Sequence, residues 1–141
     1  MEDCIFCKII AGKAEASIVY EDELVLVFPP LHPVNKGHLL IIPKRHAAYL
    51  ADIDESTAAH VMKTAKTMAA AIRKSGYRCE GINLFLADGE AAEQEVFHFH
   101  LHVYPRFKGD GFGFKYDKER HFLEMGRPEL DKIAEEIKKH L

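Results

Sequence analysis

The stretch 96–106, V-F-H-F-H-L-H-V-Y-P-R, constrains this chain more than any other, because His98, His100 and His102 alternate there with Phe99, Leu101 and Val103. Successive side chains of a strand point to opposite faces, so the run predicts a strand over 95–104. One face carries three imidazoles, spaced roughly 6.6 Å apart by two residues of rise. The other face is apolar and has to meet a core. Three histidines in strict alternation, in a chain that holds nine in all, mark a chemical face rather than a solvated one. Neutral imidazole serves both as a metal ligand and as a nucleophile, and the pattern alone admits either use.

The remaining patterns predict an α+β fold in a single domain spanning 1–141. Residues 4–12, C-I-F-C-K-I-I-A-G, predict a short helix ended by Gly12, with Cys4 and Cys7 on one face at i, i+3. Two β-rich runs follow at 17–20 and 23–28, split by the acidic turn Glu21-Asp22. Pro29, Pro30 and Pro33 then force an irregular loop, and 38–43 predicts a strand ending at Pro43. Ala58, Val61, Ala65, Met68 and Ile72 recur at spacings of three and four. They predict an amphipathic helix from about Glu55 to Ser75, with Asp54 as N-cap and Gly76 as stop. Residues 81–89 predict a strand entering a glycine turn. After the G-D-G-F-G loop (109–113), Leu130, Ile133, Ala134, Ile137 and Leu141 define a terminal helix with Pro128 in its first turn. Strands precede the long helix and the last two meet through a short link, which favours an antiparallel sheet over βαβ alternation.

Composition excludes several classes. A net charge of −3 argues against a nucleic-acid-binding surface, which is usually basic. No apolar run approaches the ~18 residues of a membrane span, so no membrane partner is expected. The start, M-E-D-C-I-F-C, has neither a basic n-region nor an apolar h-region. With three cysteines, an odd number, it points to free thiols and a cytoplasmic location.

The ordered motifs C-I-F-C-K-I-I-A-G (4–12), K-G-H-L-L-I-I-P-K-R-H (36–46), Q-E-V-F-H-F-H-L-H-V-Y-P-R (94–106) and G-D-G-F-G (109–113) resemble the histidine triad (HIT) family, bacterial type. The resemblance implies a HIT-like fold: a five-stranded antiparallel sheet, one long helix packed on it and short terminal helices, paired as a homodimer. It implies a nucleotide hydrolase or nucleotidyl transferase acting at the α-phosphate of nucleoside phosphoramidates or dinucleoside polyphosphates, with a purine nucleotide or dinucleotide as substrate. His100 would be the nucleophile, His102 and His38 would contact the phosphate, and His98 would support the geometry. Gln94, Glu95 and Val96 would face the phosphate or leaving group, and Ile5, Phe6, Ile9, Phe28 and Leu31 would wall the base. Cys4, Cys7, His46 and His98 would hold a structural Zn²⁺. Cys79 is read as structural, and His32, His60, His121 and His140 as surface or loop residues.

The chain departs from the family pattern at four positions. Pro30 stands where an aspartate often grips the ribose, and Ala87 where an asparagine is common, with Asp88 next to it as a substitute ribose contact. Glu93 replaces a usual glycine, and Glu95 a serine or threonine. Two carboxylates beside a phosphate site repel an anion unless they point away or meet a cationic leaving group. Two other functions compete with the hydrolase: a nucleotide-binding or interaction protein with little catalysis, and a hydrolase whose triad itself holds a catalytic metal.

Overall fold

The computed structural model describes residues 3–113 and 122–141, so the expectation for His121 lies outside the described residues. The chain divides into two compact units, Met1–Gly111 and Phe112–Leu141. In the first, α1 (Ile5–Ile10), β1 (Tyr20–Glu21), β2 (Val25–Phe28), β3 (Leu39–Pro43), α2 (Glu55–Lys74), β4 (Gly81–Leu86) and β5 (Leu101–Arg106) follow in order. The five strands form one sheet in the order β1-β2-β3-β5-β4, and every neighbouring pair is antiparallel. The second unit holds α3 (Arg127–Lys138), with Pro128 in its first turn and its apolar residues Leu130, Ile133 and Ile137 exposed.

The sheet is covered on both faces, and residue parity decides which side chain goes where. Val25, Val27, Leu39, Ile41, Phe99, Leu101 and Val103 pack beneath Val61, Ala65, Met68 and Ile72 of α2. Leu26, Phe28, Leu40 and Ile42 point the other way and pack with Phe6 of α1. All four residues of β2 are therefore buried, as are the five of β3. Asp54 caps α2 as its sequence predicts, accepting the Thr57 N–H at 2.9 Å.

Strands β1, β2 and β5 start later than their sequences predict, β2 at Val25 rather than at 23. Of the first β-rich run only Tyr20 enters β1, which also takes in Glu21 from the expected turn. The histidine strand becomes regular at Leu101, so His98 and His100 lie in its approach segment. Prolines account for this boundary. The β3–β5 ladder runs from Leu39↔Val103 to Ile41↔Leu101, and Pro43 and Pro105 lie beyond its two ends. Pro43 has no N–H to continue it. The Phe99 N–H turns to the Ala47 carbonyl at 2.7 Å, and the Pro43 carbonyl receives the His98 Nε2–H at 2.8 Å. Alternation nonetheless survives, since Phe99, Leu101 and Val103 all lie in the α2 core.

Ile41 is fully buried at the centre of that core. Ile41→Ala is expected to lower the unfolding free energy by about 2–5 kcal/mol, read from the urea midpoint at unchanged m-value.

Candidate active site and candidate metal centre

On the face opposite α2, the sheet and α1 border a cleft of about 1740 Å³. Of the residues assigned to it from sequence, Ile5, Phe6, Ile9, Phe28, Leu31, His38, Gln94, Glu95, Val96, His100 and His102 all line it. His98 does not; it is fully buried behind the cleft. Asp88 is not a lining residue either, because its carboxylate accepts the Leu50 N–H at 2.9 Å. The structure thus gives no support to Asp88 as a ribose contact. His60 also departs from its surface assignment: it is half-buried on α2 and meets Asp22 at 2.7 Å.

Hydrogen bonds to the backbone fix the tautomers of the histidines. A carbonyl can only accept, so the 2.7 Å contact of His100 Nδ1 with the His98 carbonyl places the ring proton on Nδ1. His100 Nε2 then carries a free lone pair, and it makes no hydrogen bond among the described residues. His38 is fixed in the opposite sense, since its Nδ1 accepts the Val34 N–H at 3.1 Å. Its Nε2–H donates to His102 Nδ1 at 2.9 Å, which leaves the His102 proton on Nε2. The cleft therefore presents an imidazole acceptor at His100 beside an N–H donor at His102, with ring centroids 5.1 Å apart.

Burial keeps these rings neutral. Desolvation lowers His38 to about 4. His102 falls to about 3, through burial first and then the neighbouring His100 and His38. Burial also lowers His100, against the opposing pull of the His98 carbonyl and Glu95. Aromatic packing holds the set in place: Tyr104 stacks on His102 at 5.0 Å and meets His38 at 4.5 Å, while Phe6 lies edge-on to His100 at 5.2 Å.

The Gln94 side chain is spent on the loop itself. It accepts from the Gly89 N–H and donates to the Ala48 and Val96 carbonyls at 2.8–3.1 Å. Glu93 just before it has φ +65°, a left-handed conformation in which glycine is unstrained and a side chain costs roughly 1–2 kcal/mol. Sequence reasoning missed Lys13, Glu15, Ala16, Phe85 and Tyr104 as lining residues. Tyr104 continues the 98-100-102 parity and could have been found that way. Phe85 could not, as it requires the pairing Phe85↔His102.

Behind the cleft, one ligand atom from each of Cys4, Cys7, His46 and His98 gathers within 4.8 Å. His98 donates its Nε2–H to Pro43, so its Nδ1 lone pair faces the group. Cys4 Sγ and Cys7 Sγ stand 3.5 and 3.6 Å from that nitrogen, Cys7 Sγ 3.2 Å from His46 Nδ1, and the two nitrogens 3.2 Å apart. A tetrahedral zinc with ordinary Zn–S and Zn–N bonds has S···N edges of roughly 3.6 Å and N···N edges of roughly 3.3 Å. The four residues fit a closed structural zinc site, with Cys4 and Cys7 as thiolates and two neutral imidazoles. Burial and the adjoining Cys4 raise the Cys7 thiol, so thiolates here need a cation beside them.

A family model described as HIT domain matches residues 11–109. The chain belongs to the HIT family. A HIT family protein from Bacillus anthracis, known as a crystal structure, is 40% identical with a TM-score of 0.88, the match covering 99% of this chain and 98% of that one. A Zn-bound histidine triad family protein from Mycobacterium smegmatis is 42% identical with a TM-score of 0.76, over 84% of this chain and 86% of that one. The Arabidopsis thaliana protein named adenylylsulfatase HINT3 is 33% identical over 139 residues, 99% of this chain and 70% of its own. The five-stranded antiparallel sheet with one long helix is the fold shared with the solved HIT structures.

Two outcomes follow for this HIT chain. Between the depressed values of His38 and His102 and the ordinary ~6.5, the unfolded chain binds protons that the fold refuses. Stability is therefore fully present above pH ~6.5 and is lost as pH falls toward 3–4. His102→Gln should flatten this loss by up to about 1.4 kcal/mol per pH unit in urea titrations, the metal centre being common to both proteins. Purified protein should carry one zinc per chain by atomic absorption. Cys7→Ser should weaken retention against a chelator by at least about a hundredfold, more than loss of an outer-shell partner costs.

Proposed function

We propose that this HIT protein is a nucleotide hydrolase or nucleotidyl transferase acting at the α-phosphate of nucleoside phosphoramidates or dinucleoside polyphosphates. The observation that carries the proposal is the pairing of a free His100 Nε2 lone pair with a His102 Nε2–H donor in one cleft. In the first step the His100 lone pair forms a bond to phosphorus, and the bond from phosphorus to the leaving nitrogen or oxygen breaks. The leaving group keeps that electron pair and takes up a proton from water. In the second step a water oxygen bonds to phosphorus, the pair of the nitrogen–phosphorus bond returns to Nε2, and the water proton is released. The His102 Nε2–H donates to a phosphate oxygen as its charge grows, and His38 holds that ring in the donating tautomer. The apolar wall of Ile5, Phe6, Ile9, Phe28 and Leu31 receives a purine base. The HIT membership and the named adenylylsulfatase relative support the general activity.

Cys4, Cys7, His46 and His98 would hold zinc, which would supply structural cross-linking between α1 and the approach to β5. The Zn-bound relative from Mycobacterium smegmatis supports this choice of metal. A homodimer is supported by the open groove between α2 and β4, where Met62, Ile82 and Leu84 form an apolar floor edged by Lys63, Lys66 and Arg73. The free thiols favour the cytoplasm. A second reading, nucleotide binding without turnover, draws on Pro30 and Ala87, which line the cleft without a side-chain acceptor of their own.

His100→Ala should abolish turnover of an adenosine phosphoramidate and of diadenosine tetraphosphate while AMP still binds in calorimetry. Full activity in that variant would end the covalent mechanism. AMP binding by the unmodified protein with no turnover of either substrate would establish the second reading instead.

A further inference from the structure

The charges around the reacting histidines favour one kind of leaving group. Glu93, Glu95 and Glu15 line the cleft, and Lys13 is the one lysine or arginine among the residues lining it. His38 and His102, held near 4 and 3, add no positive charge at neutral pH. Glu93 and Glu95 stand on the loop that leads into the histidine run. The two carboxylates flank Gln94, whose amide ties their loop to the Gly89 N–H and to the Ala48 and Val96 carbonyls, so the acidic pair sits on a fixed segment. A second observation points to a ligand at the same place. His100 is 93% buried by its 7% exposure, and its Nε2 is open to the cleft without a hydrogen-bond partner among the described residues. The cleft into which His100 Nε2 opens is thus lined by three glutamates and one lysine among the described residues.

A polyphosphate leaving group carries three or four negative charges, and in this cleft it would face three carboxylates with Lys13 alone to offset them. An amine that carries a second, protonated nitrogen would be attracted instead. Resting on the nucleotidyl-transfer reading above, we propose that Glu93 and Glu95 are specificity determinants. They select nucleoside phosphoramidates whose leaving amine bears a positive charge, and select against polyphosphates. Glu93 occupies its left-handed position at a conformational cost that glycine would avoid, and there it contributes a charge that glycine lacks.

The test compares kcat/KM for adenosine 5′-phosphoramidates of propylamine and of 1,3-diaminopropane, and for diadenosine tetraphosphate with and without Mg²⁺. The two amines differ by one ammonium group. Each protein is compared with itself across substrates, so a general loss of activity cancels. The diamine compound should be preferred about tenfold over the propylamine compound at low salt, falling as ionic strength rises. In Glu93→Gln/Glu95→Gln the ratio should approach one, with intermediate values for the single variants. A ratio near one in the unsubstituted protein overturns the proposal, as does a ratio that the double variant preserves. Faster turnover of the dinucleotide, with or without Mg²⁺, overturns it as well. If no phosphoramidate and no dinucleotide is turned over, the nucleotidyl-transfer reading fails and this inference falls with it, an outcome distinct from the charge-independent one.

Discussion

His98 makes contacts in three directions, and the cleft depends on each of them. Its Nε2–H is fixed by the Pro43 carbonyl, its Nδ1 looks to the cysteine pair, and its own carbonyl holds the His100 Nδ1–H. The ring is fully buried, so none of these partners competes with water. A histidine with both nitrogens committed and a carbonyl in use has one orientation. That orientation determines the His100 tautomer and hence the direction of its lone pair. The same residue therefore belongs to the metal centre through its side chain and to the proposed chemistry through its backbone.

The sheet imposes the second constraint. Because β2, β3 and β5 are covered on both faces, parity sorts residues into a core beneath α2 and a polar-lined face beside α1. His102 and Tyr104 share the cleft face with Leu40, while Leu101 and Val103 anchor the opposite side. A register slip by one residue would move the imidazoles into the α2 core and place Leu101 and Val103 in the cleft. Neutral rings follow from the same burial: a site enclosed on this scale disfavours imidazolium, and an unprotonated His100 is what a nucleophile needs.

Much of this is legible in the sequence because it rests on short-range periodicity. The 98-100-102 alternation, the apolar stripe of Val61, Ala65, Met68 and Ile72, and the Asp54 cap are each visible within one or two turns or a few strand residues. The Cys4-Cys7 pair is likewise local, whereas its joining to His46 and His98 came from family resemblance. What escaped depends on partners distant in the chain. The start of regular β5 at Leu101 follows from where Pro43 ends the adjacent ladder. Asp88 is drawn off by a backbone N–H 38 residues away. His60 looks like an exposed helix residue until the hairpin carrying Asp22 folds over it. There Asp22 also accepts from Tyr20, Leu24 and Val25, and these bonds outweigh its burial and hold its carboxyl well below the usual range. Phe85 enters the cleft only through strand pairing. None of these partnerships leaves a periodic trace.

The six residues of α1 have a consequence for how the molecule comes into being. A helix of that length is too short to persist by itself in water. Apart from its own Cys4 cap, the partners that steady it lie later in the chain: Leu26, Phe28, Leu40 and Ile42 of the sheet, then His46, and finally His98, 94 residues beyond Cys4. Synthesis runs from the N-terminal side, so this segment is made before the sheet strands and the approach to β5 on which it docks. One wall of the cleft is thus written early and fixed late, and until then its two thiols stay open to whatever metal or oxidant the nascent chain meets.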